Sequence, residues 1–341
     1  MPASERATQS PRFAFVVHAL SPLHRRVMAV RAARPSLFAG LQDGTHPDHV
    51  LKVCDLSLDD VVCGVVMGVP MEPEALLSDQ ARAVDCMAAA VDAAGDLDAV
   101  GLGSLCALVA GRGEALAEQL SVPVTNGGAA TAWAIMENAL SVLQHVGRDR
   151  PVAVLGARGP VGGVITEMLV DSGLRVHVDH PRAARGLDVH RADSPEAAVQ
   201  GCRVVIGAAT TGAMLQAESL ASDAILIDVA IPGTIIGTPG PGVQVLAGEA
   251  LSMPIGWRRG MWGWLYQVLA GYGPAQVYAC LVEPIVLALN PEAGSFSLGR
   301  TLSADKVKAF GTGARSLGFE PRLARGWSAF PVTDIPRQIP R

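Results

Sequence analysis

The sequence predicts a two-domain α/β protein built on parallel sheets, and three observations carry that prediction. Short apolar runs alternate with helix-length amphipathic segments from residue 13 to about 252, the pattern of strands joined by crossover helices. Several of these runs are apolar throughout, as strands covered on both faces are. Half of the 341 residues are hydrophobic and 17% are charged, with a mean hydropathy of +0.32, so the chain can bury enough surface for two cores.

Taken in order, residues 1–12 are polar and Pro/Ser-rich and read as a loose arm. FAFVVHAL is a buried strand ending at His18, with Pro22 marking the exit. Residues 23–60 are mixed and carry the turn signals Asp43-Gly44 and His46-Pro47. VVCGVVMGV is a second buried strand, stopped by Pro70. MEPEALLSDQARAVDCMAAAVDAAG reads as one or two helices, with Pro73 suited to a first turn. LDAVGLGSLCALV is a strand running into Gly101 and Gly103, residues 114–119 are helical, and VPVTNGG is a strand closed by a glycine turn. Residues 129–146 form a long helix. Ala132, Ile135, Ala139, Val142 and Val146 recur on it at the spacing of a buried face. Residues 13–146 are thus a first α/β domain, which would hold the substrate.

The second domain spans 151–252. VAVLG, LRVHVD, RVVIGAA, AILIDVA and VQVLAG are its strands, with a helix over 161–173 and a short one over 194–200. Between the first strand and helix stands GARGPVGG, which places Gly156, Gly159 and Gly162 as GxxGxxG around Pro160 and Val161. This is a loose form of the dinucleotide fingerprint of a Rossmann-type domain. The first glycine permits the tight turn, the second lets backbone approach the pyrophosphate, and the third lets helix and strand pack closely. The helix N-terminus then faces the phosphates. Asp179 ends the second strand, 23 residues after Gly156, where a carboxylate can bond the ribose 2′-hydroxyl of NADH. His180, Arg182 and Arg185 follow and can hold the 2′-phosphate of NADPH, so both cofactors stay open. Segments after the fourth and fifth strands flank the nicotinamide in such domains. Here they bring Ala208, Thr210, Thr211 and Asp228.

The pattern changes over 253–320. Residues 254–272 are rich in Trp, Gly and Arg, 273–289 read as an apolar helix bent at Pro284, and a last helix follows Ser303 as its cap. These C-terminal helices are expected to pack between the two domains, and 321–341 is an irregular tail. The net charge of -5 and the lack of a basic stripe argue against nucleic acid. The six cysteines show no CxxC spacing and the eight histidines no HxxxH, so neither a disulfide scaffold nor a metal site is expected. No run approaches the roughly 20 apolar residues of a membrane span. The expectation is a cytoplasmic protein, with a homodimer a further possibility.

Several segments, in order from His18 to about Phe319, resemble the long-chain acyl-(acyl-carrier-protein) reductases of cyanobacteria, which form fatty aldehydes. They are the strand ending in His18, GLGS at 101–104, TNGGAATAW at 125–133, and the glycine fingerprint. LIDVAIPG at 226–233, VLAGEAL at 245–251, VYACLVEPIVLAL around Cys280 and SFSLGR at 295–300 complete the series. The resemblance implies that Cys280 accepts an acyl group as a thioester from an acyl-carrier protein or acyl-CoA, and that NADPH reduces it to the aldehyde. Asp179-His180 and the segment GWRRGMWGWLYQ depart from that family's pattern. A thiolate at Cys280 would need a positive neighbour, for which Arg258 and Arg259 are candidates, while Glu283 three residues on would oppose it. His18, at a strand end, is the candidate acid/base. Ser104, Thr125 and Asn126 are candidate substrate contacts, and Trp262 and Tyr266, with Trp257, Trp264 and Tyr272, would wall an acyl tunnel. Two other readings remain at this point. One is an ordinary NAD(P)-dependent dehydrogenase of a small carbonyl compound, with His18 or a lysine as proton donor. The other is a non-catalytic nucleotide-binding partner.

Overall fold

In the computed structural model the described residues are 10–18, 50–69, 71, 73–210, 212–230, 233–261 and 275–323. The first sheet begins with β1 (Arg12–His18), β2 (Leu51–Leu58), β3 (Val62–Val69), β4 (Ala99–Leu102) and β5 (Val124–Thr125). β1 lies parallel between β3 and β4, and β5 extends the sheet beyond β4. The helices α1 (Pro73–Ser78), α2 (Gln80–Ala94) and α3 (Glu114–Ala117) lie between these strands, and α4 (Gly128–Val146) leads from β5 to the second sheet.

β2 lies within the stretch that the sequence presents as mixed. Lys52, Asp55 and Ser57 interrupt its apolar residues, and Asp55 is exposed, as on a strand with one wet face. β2 pairs antiparallel with β3, with a bulge between Lys52 and Cys54, so the sheet is mixed at this edge.

The second sheet is parallel throughout. Its strands are β6 (Val152–Leu155), β7 (Val176–Val178), β8 (His190–Arg191), β9 (Val204–Gly207), β11 (Ile225–Asp228) and β13 (Gln244–Ala247). A small ladder of β10 (Leu215–Gln216) and β12 (Ile235–Ile236) lies beside it. The spatial order β13-β11-β9-β6-β7-β8 is the doubly wound order of dinucleotide-binding domains, with the topological switch between β6 and β9. Helices α5 (Pro160–Asp171) and α6 (Pro195–Ala198) belong to this unit.

The chain then returns. β14 (Ala250–Ser252), β16 (Gln276–Tyr278) and β17 (Glu320–Pro321) form a three-stranded antiparallel sheet, and β15 (Trp257–Arg259) adds to the first sheet at β2. Residues 276–278, which read as the start of an apolar helix, are a strand because Ala250–Ser252 offers them a ladder. The helix α7 (Ala279–Leu289) begins only after it, and α8 (Ala304–Ser316) follows with the Ser303 hydroxyl accepting from the Lys306 N–H at 3.4 Å.

Burial explains how the units join. One apolar cluster includes Phe13 and Phe15 of the first sheet, Val152 and Val154 of the second, and residues of α4, α5, α7 and α8 between them. The outer faces of the two sheets have clusters of their own, under α1 and α2 on one side and α6 on the other. α7 packs on β1 and β4, while α8 touches α4, α5 and α7, so the C-terminal helices do fill the middle layer. The approach of α7 to β4 is close: a Cβ on Gly101 would overlap the Pro284 ring. We therefore expect Gly101→Ala to cost about 1–3 kcal/mol by overpacking, read as a lower urea midpoint at unchanged slope.

Candidate functional site

Two sheet ends meet at one cleft of about 250 Å³. On the first sheet the neighbours β1 and β4 lead in opposite directions, to β3 and to β5, which opens a crevice at their carboxyl ends. His18 ends β1 there, and Ser104 follows β4. On the second sheet the switch lies between the glycine turn after β6 and Ala208 after β9. Ser104, Asn126, Pro160, Val161, Ala208 and Thr210 all line the cleft, so both crevices open into the same space.

The glycine turn fits a dinucleotide. Gly156 has φ +87°, and a Cβ there would stand 2.6 Å from the Ala209 nitrogen. A Cβ on Gly162 would overlap the Gly156 carbonyl oxygen, so α5 lies as close to the turn as the fingerprint requires. Gly159 precedes α5 in extended conformation, and Pro160 starts the helix. Asp179 accepts hydrogen bonds from the Gly156 N–H at 2.8 Å and the Ala157 N–H at 3.4 Å, which holds it at the rim of the turn. His180 Nδ1 accepts from the Arg182 N–H at 3.0 Å, and the side chains of Arg182 and Arg185 are exposed nearby.

Asp228 has a different place from the one its position suggests. It is buried and absent from the cleft lining. Its carboxylate accepts from the Ala230 N–H at 3.0 Å, the Thr234 N–H at 2.8 Å and the Thr234 hydroxyl at 2.7 Å. It shapes the loop beside the cofactor crevice, and burial raises its carboxyl above the usual range. Thr211 lies outside the described residues, as do Trp262, Trp264, Tyr266 and Tyr272. Trp257 stacks edge-on against Phe319 with ring centroids 5.6 Å apart, a packing contact.

The wall opposite the cofactor crevice holds the reactive groups. Ser104 Oγ lies 3.1 Å from His18 Nε2. Ser104 has φ +54°, a left-handed conformation that side chains rarely adopt. Asn126 spends its amide on structure: Nδ2 donates to the Arg112 carbonyl at 3.1 Å and Oδ1 accepts from the Gly128 N–H at 3.1 Å. Thr125 is fully buried beneath the cleft, and its hydroxyl bonds Glu283 and Ser297, so it supports the wall and does not line it.

Cys280 does line the cleft, at the start of α7, against Gly127, where a Cβ would overlap its own. Its surroundings oppose ionisation. Burial pushes the thiol up to about 12, and Glu249 and Glu283 add to the rise. The expected positive neighbours are elsewhere. Arg258 pairs with Asp59 at 3.7 Å, Arg259 Nη1 lies 3.3 Å from Met253 Sδ, and both sit on β15 at the far edge of the first sheet, outside the cleft lining. Glu283 is paired with hydroxyls and a helix N-terminus, with no arginine among its partners. Arg112, Glu249 and Tyr278 also line the cleft, and sequence reading passes over them. Only the flanking glycines of Gly111-Arg112-Gly113 hint at a special backbone.

No protein-family model matches the chain. It is 27% identical over 279 residues to the aminotransferase PigE of Serratia sp. (strain ATCC 39006), a match over 75% of this chain and 32% of that protein. The chain thus spans about a third of the length of this curated relative. Among solved structures it is similar to the methylenetetrahydrofolate dehydrogenase-cyclohydrolase of Trypanosoma brucei, solved with NADP and an inhibitor. There the TM-score is 0.32, with 14% identity over 71% of this chain and 82% of that one. It is also similar to the NADPH-dependent glyoxylate/hydroxypyruvate reductase of Sinorhizobium meliloti, solved with citrate. That match has a TM-score of 0.31, with 16% identity over 69% and 85%. With no family model matching, and with the Cys280 thiol raised by burial and two carboxylates, the expectation from the motif order is corrected: the acyl-reductase family, the covalent thioester on Cys280, and the acyl-carrier-protein or acyl-CoA donor are withdrawn together. Among the described residues no helix is long and apolar enough to cross a membrane, and no group of three or more His, Cys, Asp or Glu is placed to hold a metal.

Two outcomes follow from this geometry. Gly162→Ala should push α5 off the turn and weaken dinucleotide binding, by roughly tenfold for each 1.4 kcal/mol of misfit, measured by fluorescence titration with NADPH and NADH. Cys106, Cys202 and Cys280 each have thiols raised from 9.0 to about 12 by burial. The unfolded chain therefore loses these protons first. Their contribution to stability should be intact below pH 9 and fall as pH rises from there through about 12. Urea midpoints across that range check the sign, and Cys202→Ala should flatten the slope.

Proposed function

We propose that the chain is an NAD(P)H-dependent oxidoreductase that interconverts a small carbonyl compound and its reduced form without a covalent enzyme intermediate. One observation carries the reading: a glycine turn suited to a dinucleotide and a His–Ser hydrogen-bonded pair open into a single cleft. A bound nicotinamide dinucleotide, NADPH or NADH, supplies the hydride. The chain's own residues supply the proton. The Ser104 hydroxyl lies in the cleft and can donate to a carbonyl oxygen as negative charge develops there, while His18 behind it returns the proton. His18 is only 5% exposed, so the path from imidazole to substrate leads through the serine. The left-handed backbone of Ser104 is a local cost that suits a residue placed for chemistry. Ala208 and Thr210, which line the cleft, would hold the nicotinamide end of the dinucleotide, and Asp179, at the rim of the glycine turn, its ribose. Cys280 serves as a neutral wall residue. The described cysteines are all free thiols, which supports a reducing, cytoplasmic setting.

The test is oxidation of NADPH and NADH by the purified chain over a panel of small aldehydes and ketones. Wild type should turn over at least one of them. His18→Gln and Ser104→Ala should each lower turnover by roughly 10²–10⁴-fold, the usual worth of a positioned acid or base, with dinucleotide affinity unchanged. Turnover that survives both substitutions would remove the pair from the mechanism.

A further inference from the structure

The loop between β4 and α3 forms one wall of the cleft and holds three non-glycine residues at positive φ: Ser104 at +54°, Ala110 at +52° and Arg112 at +60°. Such conformations persist only where the surroundings over-determine them, and they concentrate at binding and catalytic sites. At Arg112 the constraint is visible. Its carbonyl oxygen accepts from Asn126 Nδ2 at 3.1 Å and from the Gly299 N–H at 3.3 Å. Two segments distant in sequence therefore hold this one peptide in place.

Arg112 lines the same cleft as Ser104, where among the described residues the other charged lining residue is Glu249. Arg112 is half-buried, and among the described residues no carboxylate stands within ion-pair distance of it. The charge that acts on it is that of Arg300, another cation. Burial and this repulsion both disfavour the guanidinium charge. A partly desolvated cation facing a second cation is costly unless an anion joins it. Most of the remaining lining is apolar or small, including Phe15, Val17, Leu105, Leu108, Val161 and Val229.

We infer that Arg112 receives an anionic group of the substrate, a carboxylate or a phosphate, so that the carbonyl compound handled in this cleft is itself an anion. A planar guanidinium can grip either group with two parallel hydrogen bonds. The inference rests on the oxidoreductase reading for its carbonyl and on Arg112 alone for its anion.

The probes are oxalate and inorganic phosphate, titrated calorimetrically into protein saturated with NADPH so that the phosphate-binding turn is already filled. Wild type should bind at least one, and the arm that gives heat tells carboxylate from phosphate. Arg112→Gln should weaken that binding by roughly tenfold or more, as loss of a charge-assisted pair does, with NADPH affinity unchanged. Arg300 is exposed, so Arg300→Glu should fold normally. It should weaken the same binding by offering Arg112 a carboxylate, and it decides the matter if Arg112→Gln does not fold. Equal binding by wild type and both variants, or no binding of either anion by folded wild type, would overturn the inference. If wild type binds no dinucleotide, the titration is run on the free protein. Oxalate or phosphate held through Arg112 would then leave the anion subsite standing and remove the oxidoreductase reading.

Discussion

Much of the cleft depends on one carboxylate with no exposed surface. Glu283, on α7, accepts from the Thr125 hydroxyl at the end of β5, from the Ser297 hydroxyl, and from the Ala130 N–H in the first turn of α4 at 2.6 Å. A buried carboxylate is tolerable only when its lone pairs are filled, and here hydroxyls and a helix N-terminus fill them. Burial raises the carboxyl while these hydrogen bonds oppose the rise. Because its partners come from β5, α4 and the segment at 295–297, the same bonds fix how α7 meets the first sheet. That in turn sets Cys280 against Gly127.

The second organising feature is the shared middle layer. α4 carries the buried face Ala132, Ile135, Ala139 and Val142, and it packs toward both sheets at once. With α5, α7 and α8 it makes one apolar body from what would otherwise be two cores. Trp133 lies edge-on to Phe310 at 5.6 Å, and Phe310 to Phe296 at 5.8 Å, so α8 is locked to α4 by aromatic contacts. Two sheets joined in this way keep their carboxyl ends facing one another. The cleft between those ends can therefore be small and still receive residues from both.

Electrostatics decides which cleft residues are ready for chemistry. Two carboxylates, Glu249 and Glu283, add to the rise that burial causes at Cys280, so its thiol stays protonated near neutrality. A motif places a cysteine along the chain but says nothing about the charges folded around it, and here those charges reverse the reading. The His18–Ser104 pair shows the opposite case. Its members are 86 residues apart, and only the order β3-β1-β4 brings the two strand ends together.

Local sequence signals were a good guide to the second domain. Its strands are short apolar runs, its first turn needs glycines whose Cβ atoms have no room, and its helix starts at a proline; all of these are properties of neighbouring residues. The long helix α4 and the Ser303 cap were legible for the same reason. The antiparallel strand β2, the strand at 276–278, the internal employment of Asp228 and Thr125, and the place of Arg112 were not. The strand at 276–278, Thr125 and Arg112 depend on partners far along the chain, Ala250–Ser252, Glu283 and Gly299, while β2 rests on a ladder to the adjacent β3 and Asp228 on a loop that folds back to it at Ala230 and Thr234. Sequence by itself determined most strands and helices of the second domain and the glycine turn between its first strand and helix, because backbone sterics and apolar periodicity act over a few residues. Tertiary structure alone decided which polar groups reach the cleft and which carry charge there, because burial and Coulomb interaction depend on distances in space.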